Sequence, residues 1–317
     1  MELKGRKSLL EQLKRPVKAG RAAHAMIFAG PSGSGRHSAA LWMAQGFNCL
    51  EAPEKRPCGK CPECRHMLSG SANELIEIEP DGESARSIKI ETARALIERI
   101  SIRPEGRVKC VIIREADKMT IDAQDALLKT FEEPPPYVAF FLITERPTAL
   151  LPTVRSRCVT LRFAPLKTDE VRSYLIRQQN LLPDEAERLA HLSGGCIGKA
   201  LLWISDARLN QWHDKICEVF KDFAAPKDVA RAGAALGAIA PKPAQKAAFA
   251  SFLSAMLELS AGELLRQKPK TQLAGILLQN GLDAEKLLSA IMEFNRLRAA
   301  NINIQYAVDA LLYGMVM

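Results

Sequence analysis

A glycine-rich turn between an apolar segment and a helical pattern is the feature that most constrains this chain. Residues 25–29 (AMIFA) lead into the turn at 30–35 (GPSGSG), and helical spacing follows from Arg36 to about Phe47. Four further apolar runs alternate with helical patterns near 89–102 and 120–131; they are 75–79, 108–113, 138–143 and 158–163. This alternation predicts an α/β domain, with a parallel sheet between helices.

The rest of the chain has helical spacing and no convincing strand. Residues 168–207 read as a small helical region, and 210–317 as about five or six helices separated by proline and glycine breaks. A chain of 317 residues is long enough for two or three domains. We therefore predict an α/β domain at 1–166, a small all-α domain at 167–208 and a second all-α domain at 209–317.

Composition excludes several classes of protein. Hydrophobic residues make up 47% and charged residues 25%, which is ordinary for a folded globular protein and unlike a disordered or fibrous chain. No uninterrupted apolar stretch approaches the roughly 18 residues that a membrane-spanning helix needs, and the N-terminus carries charges where a signal peptide is apolar. We therefore expect a cytoplasmic protein with no membrane partner. The net charge of +8 favours acidic partners such as nucleic acid without identifying one.

The turn at 30–35 has the glycine spacing, from Gly30 to Gly35, of a phosphate-binding P-loop, in which backbone amides at a helix N-terminus hold phosphates. Two residues depart from that motif. Arg36 stands where the motif has lysine, and His37 where it has the serine or threonine that binds magnesium. ATP binding for catalysis is therefore disfavoured, whereas weak phosphate binding and a purely structural turn both stay open.

A second departure follows the predicted strand at 108–113. Arg114 stands where a Walker B strand would present the aspartate that coordinates magnesium, and a cation cannot hold a cation. Glu115 occupies the position of the glutamate that activates water, but it can equally be an exposed acidic residue at a strand end. The loss of both magnesium positions points away from an active ATPase.

Four of the eight cysteines form a compact pattern, Cys49-x8-Cys58-x2-Cys61-x2-Cys64. Four thiolates at such spacing predict a closed tetrahedral zinc site with a structural role. The two C-x2-C units share Cys61, which departs from the commoner arrangement of two separate units. Reduced thiols without metal, or disulfides, are the alternatives. The other four cysteines lie among apolar residues and read as small buried hydrophobes.

Three stretches resemble bacterial clamp-loader subunits of the AAA+ class. They are 24–30 (HAMIFAG), 125–135 (DALLKTFEEPP) and 154–158 (VRSRC), which contains the SRC motif of Ser156, Arg157 and Cys158. The resemblance is strong over residues 1–207 and rests on length and helical character over 210–317. It implies an AAA+ core domain with a zinc module inserted at about 49–64, a helical lid domain and a helical collar domain for ring assembly.

The resemblance also implies a role. Active ATPase subunits of that family keep the P-loop lysine and threonine, the Walker B aspartate and a sensor arginine, whereas this chain has Arg36, His37, Arg114 and Gly198 there. It therefore resembles a non-catalytic member of a five-subunit ring, in which Arg157 reaches the nucleotide of a neighbouring gamma/tau subunit as an arginine finger. A delta subunit, and through the complex the sliding clamp and primed DNA, are the other implied partners.

Two alternatives stay open at this point. The chain could be an active gamma/tau-like ATPase that tolerates arginine in place of lysine. It could also be a zinc-stabilised DNA-binding module outside any ring, although residues 210–317 contain nearly balanced numbers of basic and acidic residues.

Overall fold

The computed structural model describes residues 7–20, 25–81, 86–300 and 302–317. The chain divides into two units, Met1–Leu166 and Lys167–Met317. The first unit contains a sheet with helices on both faces, and the described part of the second is helical. The predicted combination of an α/β region followed by an all-α region is confirmed.

A five-stranded parallel sheet organises the first unit. Its strands are β1 (Ala25–Ala29), β2 (Leu75–Ile78), β3 (Lys109–Ile113), β4 (Val138–Thr144) and β5 (Val159–Arg162), in the spatial order β2-β3-β4-β1-β5. All five predicted strands are confirmed, each end within one residue. The central strand β4 is buried at every position because β1 and β3 flank it and helices cover both faces. Since the strands are parallel, the loops that follow β1, β3 and β4 meet at one edge of the sheet.

The described part of the first unit contains six α-helices: α1 (Lys7–Ala19), α2 (Arg36–Asn48), α3 (Pro62–Ser69), α4 (Ile90–Ser101), α5 (Ile121–Glu132) and α6 (Pro152–Ser156). Apolar side chains of α2 pack with Phe28 and Phe141 on one face of the sheet. Those of α4 and α5 pack with Val111 and Phe140 on the other. The sequence predicted α2, α4 and α5, but not α1, α3 or α6.

The second unit contains nine described α-helices: α7 (Thr168–Gln179), α8 (Pro183–Leu192), α9 (Ile197–Ser205), α10 (Ala207–Lys221), α11 (Val229–Ile239), α12 (Pro243–Leu265), α13 (Gln272–Gln279), α14 (Ala284–Ala299) and α15 (Ile304–Val316). Trp203 of α9 contacts the rings of His213 and Phe252, at centroid distances of 5.7 and 5.1 Å. The predicted boundary at 208/209 lies in the first turn of α10, and the division into lid and collar stays a prediction.

Helix α12 contains a segment, Gln245–Leu265, that is long and apolar enough to cross a membrane by length and composition alone. The sequence was not expected to contain such a segment. However, 56% of its apolar window is buried inside the protein, and Leu253, Leu257 and Ala261 have no exposed surface. A core helix of a helical unit has these properties, so the segment is only a weak indication of membrane insertion.

Candidate functional site

The glycine-rich turn between β1 and α2 is held by close packing of the backbone. The amide of Gly30 donates a hydrogen bond to the carbonyl of Thr144 at 3.2 Å. A Cβ atom at Gly30 would lie 2.3 Å from the carbonyl oxygen of Phe163, so any side chain there requires the backbone to move. Gly33 and Gly35 have φ angles of 76° and 88°, a conformation that favours glycine. These glycines are therefore required by the fold, whether or not a phosphate binds.

Arg36 and His37, at the two altered P-loop positions, each contact a carboxylate of this chain. The Arg36 side chain is only 8% exposed, and its Nη2 lies 3.4 Å from Oε1 of Glu145, which follows β4. Nε2 of His37 lies 3.0 Å from Oε2 of Glu77 on β2. A phosphate or a magnesium ion at this edge would have to compete with these internal contacts.

The residues after β3 are likewise paired within the chain. Arg114 lies 3.0 Å from Glu79, and Glu115 lies 3.6 Å from Arg86. The Asp117 side chain is 8% exposed and was not identified from the sequence. It accepts hydrogen bonds from the Thr144 hydroxyl at 2.9 Å and from Nη2 of Arg146 at 3.2 Å. The Asp117 carboxylate therefore connects the segment after β3 to the end of β4, which is a structural role.

Arg157 of the SRC motif lies at the C-terminal cap of α6. Its backbone amide donates to the carbonyl of Val154 at 3.1 Å. Its Nη1 donates to the carbonyl of Thr153 at 2.9 Å, and its Nη2 forms an ion pair with Glu132, the last residue of α5. The Arg157 side chain is still 34% exposed. A second molecule could therefore reach this guanidinium.

The two other residues of the SRC motif have different environments. Ser156 is exposed, and its hydroxyl lies 3.5 Å from Nη1 of Arg157. Burial raises the pKa of the Cys158 thiol to about 12, so the thiol is protonated at neutral pH. A protonated thiol is a weak nucleophile and a weak metal ligand.

Gly198 stands where the active ATPase subunits that this chain resembles have the sensor arginine, and Lys199 follows it. Gly198 and Lys199 lie in the first turn of α9, Gly198 exposed and Lys199 half-buried. His24, the first residue of the motif at 24–30, lies outside the described residues.

The four predicted ligand cysteines come together between α2 and α3. Their sulfur atoms all lie within 4.8 Å of one another. Cys49 follows the last residue of α2, whereas Cys61 caps α3 and Cys64 lies within it. All eight cysteines are free, so the disulfide alternative is not supported. This cluster could hold a metal ion.

Backbone amides around the cluster favour thiolates. The amides of Lys60 and Cys61 donate to the sulfur of Cys58 at 3.4 and 3.3 Å, and they lower the pKa of Cys58 to about 6. Burial instead raises the pKa values of Cys49 and Cys64. A cation would offset that cost, because metal binding deprotonates a thiol. The donor set therefore fits zinc, which prefers four thiolates in tetrahedral geometry.

Sequence reasoning missed the acidic partners of the basic residues. Glu77, Glu145 and Asp117 were not singled out, because each meets its partner only through the folding of the sheet. Glu132 was part of the motif at 125–135, but its contact with Arg157 depends on how α5 and α6 pack. The one available signal was weak: Glu145 and Asp117 come shortly after predicted strands, whereas Glu77 lies within one.

Comparison with known proteins identifies the family. The family model described as "DNA polymerase III, delta subunit" matches residues 5–167. DNA polymerase III subunit delta' of Bacillus subtilis is 36% identical over 185 residues, covering 58% of this chain and 55% of that protein. DNA polymerase III subunit tau/gamma of Haemophilus influenzae is 34% identical over 197 residues, covering 61% of this chain and 28% of that protein.

These matches span about half of the first relative and less than a third of the second. Among solved structures, a DNA polymerase III gamma subunit-related protein from Thermotoga maritima has a TM-score of 0.49 and 20% identity, covering 96% of this chain and 97% of that one. The family model alone covers more than half of this chain. The chain therefore belongs to the DNA polymerase III delta-subunit family, a family of AAA+ clamp-loader subunits.

Proposed function

We propose that this chain is a non-catalytic subunit of the DNA polymerase III clamp loader, which helps to load the sliding clamp onto primed DNA. Its partners are then gamma/tau and delta subunits, with the clamp and the DNA reached through the complex. The observation that carries the proposal is the difference in exposure between the two arginines: Arg36, at the position of the phosphate-loop lysine, is 8% exposed and faces Glu145, whereas Arg157 of the SRC motif is 34% exposed. The similarity to a delta' subunit supports it.

The residues at the phosphate loop and after β3 support a subunit that does not hydrolyse ATP. Magnesium binds hard oxygen ligands, and it bridges the phosphates in nucleotide hydrolysis. Here an imidazole and a guanidinium, those of His37 and Arg114, stand at the two positions that would supply these ligands. Arg36 faces Glu145, which would also repel a phosphate. ATP is therefore not a cofactor of this subunit in our proposal.

Arg157 acts in trans in our proposal, as an arginine finger for ATP bound by a neighbouring gamma/tau subunit. A guanidinium stays charged at all physiological pH values and forms forked hydrogen bonds with phosphate oxygens. Such a residue supplied from a neighbour is worth about 10³–10⁵ in rate where it has been measured in GTPases. The exposed surface of Arg157 supports this role, and the role needs no nucleotide in this chain.

Reconstitution with the cognate ATPase subunits tests the proposal. The Arg157→Ala variant should form the complex normally but lower its DNA-stimulated ATP turnover by roughly tenfold or more. Arg155→Ala is the matched control, since Arg155 is exposed on the same short helix and its side chain has no partner among the described residues. Unchanged turnover with Arg157→Ala would remove this residue from the mechanism.

A second candidate is an active gamma/tau-like ATPase, which the 34% identity to a tau/gamma subunit favours. Titration of the isolated chain with magnesium and ATP separates the two candidates. Micromolar binding with intrinsic turnover would support this candidate, and its absence would support the non-catalytic subunit.

We also propose that Cys49, Cys58, Cys61 and Cys64 hold a structural zinc ion. Bound zinc would supply a crosslink and no reaction chemistry, because four thiolates fill its coordination sphere. Elemental analysis should find about one zinc per chain. Cys61→Ser should lower that content, whereas Cys217→Ala, outside the cluster, should not. A wild-type protein purified without metal that melts at the same temperature after zinc addition would contradict this proposal.

We assign residues 167–208 to a lid domain, 209–317 to a collar domain for ring assembly, and the protein to the cytoplasm. The helices of the described part of the second unit, and the DNA polymerase III subunits among the relatives, support these assignments.

A further inference from the structure

We propose that Glu132 is a positioning residue, which orients Arg157 for its contact with a neighbouring subunit's nucleotide. The inference rests on the proposed function, since it gives Arg157 the role described there. In this proposal Glu132 acts through the guanidinium of Arg157 alone.

The Arg157 guanidinium is held from two sides. On one side, Nη1 donates to the carbonyl of Thr153 at 2.9 Å, within the helix that Arg157 caps. On the other side, Nη2 pairs with the carboxylate of Glu132, which comes from a different helix. A long side chain fixed at both terminal nitrogens has one preferred direction, while its stem alone would allow several.

Glu132 is itself attached to a rigid support. It ends α5, whose Leu127 and Phe131 are buried in the core against β4. The Phe131 ring contacts that of Phe140 at 5.2 Å between centroids. The direction given to Arg157 is therefore tied to the sheet and does not depend on a loop.

The pair is placed for function more than for stability. Both side chains are partly exposed, 34% for Arg157 and 43% for Glu132, and ion pairs this exposed add little to stability. The guanidinium has five N–H donors, and its contacts with Glu132, Thr153 and Ser156 use at most three of them. The remaining donors are available to phosphate oxygens. A guanidinium that is already oriented does not have to be ordered when the transition state forms.

The neighbouring glutamate provides a matched control. Glu133 is exposed and caps α5 through its backbone amide, which donates to Lys129 at 3.0 Å. Its side chain has no hydrogen bond or ion pair within the described part of the chain. Glu132 and Glu133 therefore have the same charge and nearly the same location, but only one contacts Arg157.

The experiment measures ATP turnover of the reconstituted complex with primed DNA, at varied ATP concentration. Glu132→Ala should lower kcat roughly tenfold without changing KM for ATP, because the effect lies in the transition state. Glu132→Gln keeps an acceptor oxygen of the same reach and should retain about half or more of the wild-type kcat. Glu133→Ala should match the wild type. In an Arg157→Ala background, Glu132→Ala should have no further effect.

Each other outcome is decisive. Wild-type or faster turnover with Glu132→Ala, while Arg157→Ala is slow, would overturn the positioning role and leave the proposed function standing. An equal loss from Glu132→Ala with and without Arg157 would show that Glu132 acts elsewhere. No loss from Arg157→Ala would overturn the proposed function and this inference with it. Thermal unfolding of each variant chain separates a loss of turnover from a loss of folding.

Discussion

Two arginines of the first unit show how surroundings decide the use of the same side chain. Arg36 begins α2, is 8% exposed and turns toward Glu145 of its own chain. Arg157 follows α6, is 34% exposed and pairs with Glu132 at the surface. The first guanidinium belongs to the internal structure of the phosphate loop, and the second is available to another molecule. Changes at the phosphate loop should therefore affect stability, and changes at the SRC motif should affect a partner's turnover.

The sharpest test of this contrast is Arg157→Lys. Lysine keeps the charge but loses the planar fork, so it cannot contact Glu132, Thr153 and a phosphate together. We expect DNA-stimulated turnover of the reconstituted complex to fall roughly tenfold or more. The free energy of unfolding of the isolated chain should change by less than about 0.5 kcal/mol. Wild-type turnover of the complex that contains this variant, or much easier unfolding of the variant chain, would contradict the contrast.

At the phosphate loop, Gly30→Ala should lower the stability of the chain, which Arg157→Lys should leave almost unchanged. The new Cβ meets the backbone of Phe163, so the sheet edge must shift and the free energy of unfolding should fall by about 1–3 kcal/mol. Urea unfolding without any nucleotide measures it. Gly275→Ala is the control, because that helical glycine faces open space and alanine there should stabilise by about 0.5–1 kcal/mol. Equal stability of both variants would show that the turn is not structurally required.

A smaller loss is expected from Glu145→Gln. Removing the charge opposite the nearly buried Arg36 should lower the free energy of unfolding by about 1 kcal/mol, since Glu145 itself is 54% exposed and partly screened. Calorimetric titration with magnesium and ATP should still detect no micromolar binding, because His37 and Arg114 are unchanged. Tight binding by this variant would mean that Glu145 alone blocks the phosphate site.

The smallest effect is expected from Arg114→Asp. The Arg114 pair with Glu79 is exposed on both sides, and water also screens the repulsion between the new carboxylate and Glu79, so the free energy of unfolding should fall by less than about 1 kcal/mol. The new carboxylate restores one magnesium ligand type after β3, but Arg36 and His37 remain. The isolated variant should therefore still lack ATPase activity. If this single substitution produced turnover, the phosphate loop would be functional after all.

Local patterns predicted the strands of the sheet and the clustering of the four cysteines, because each rests on residues close together in sequence. The apolar runs specify the five strands, and the cysteine spacing brings four sulfur atoms together. Helix α1 was missed because it contains Pro16, which normally argues against a helix, while burial of Leu13 and Val17 holds it in place. The contacts of Arg36 and Arg157 could not be predicted, because their acidic partners lie far away in sequence and meet them only in the folded protein.

Helix α2 connects the altered phosphate loop to the cysteine cluster. It begins at Arg36 and His37, extends about 20 Å, and ends beside Cys49. At that far end, the side chain of Gln45 donates to the carbonyl of Cys64 at 2.8 Å, and that of Asn48 to the carbonyl of Val108 at 2.8 Å. Oxidation of the cysteine thiols would therefore weaken the contacts at the C-terminal end of α2, the helix whose N-terminal end carries the altered phosphate loop.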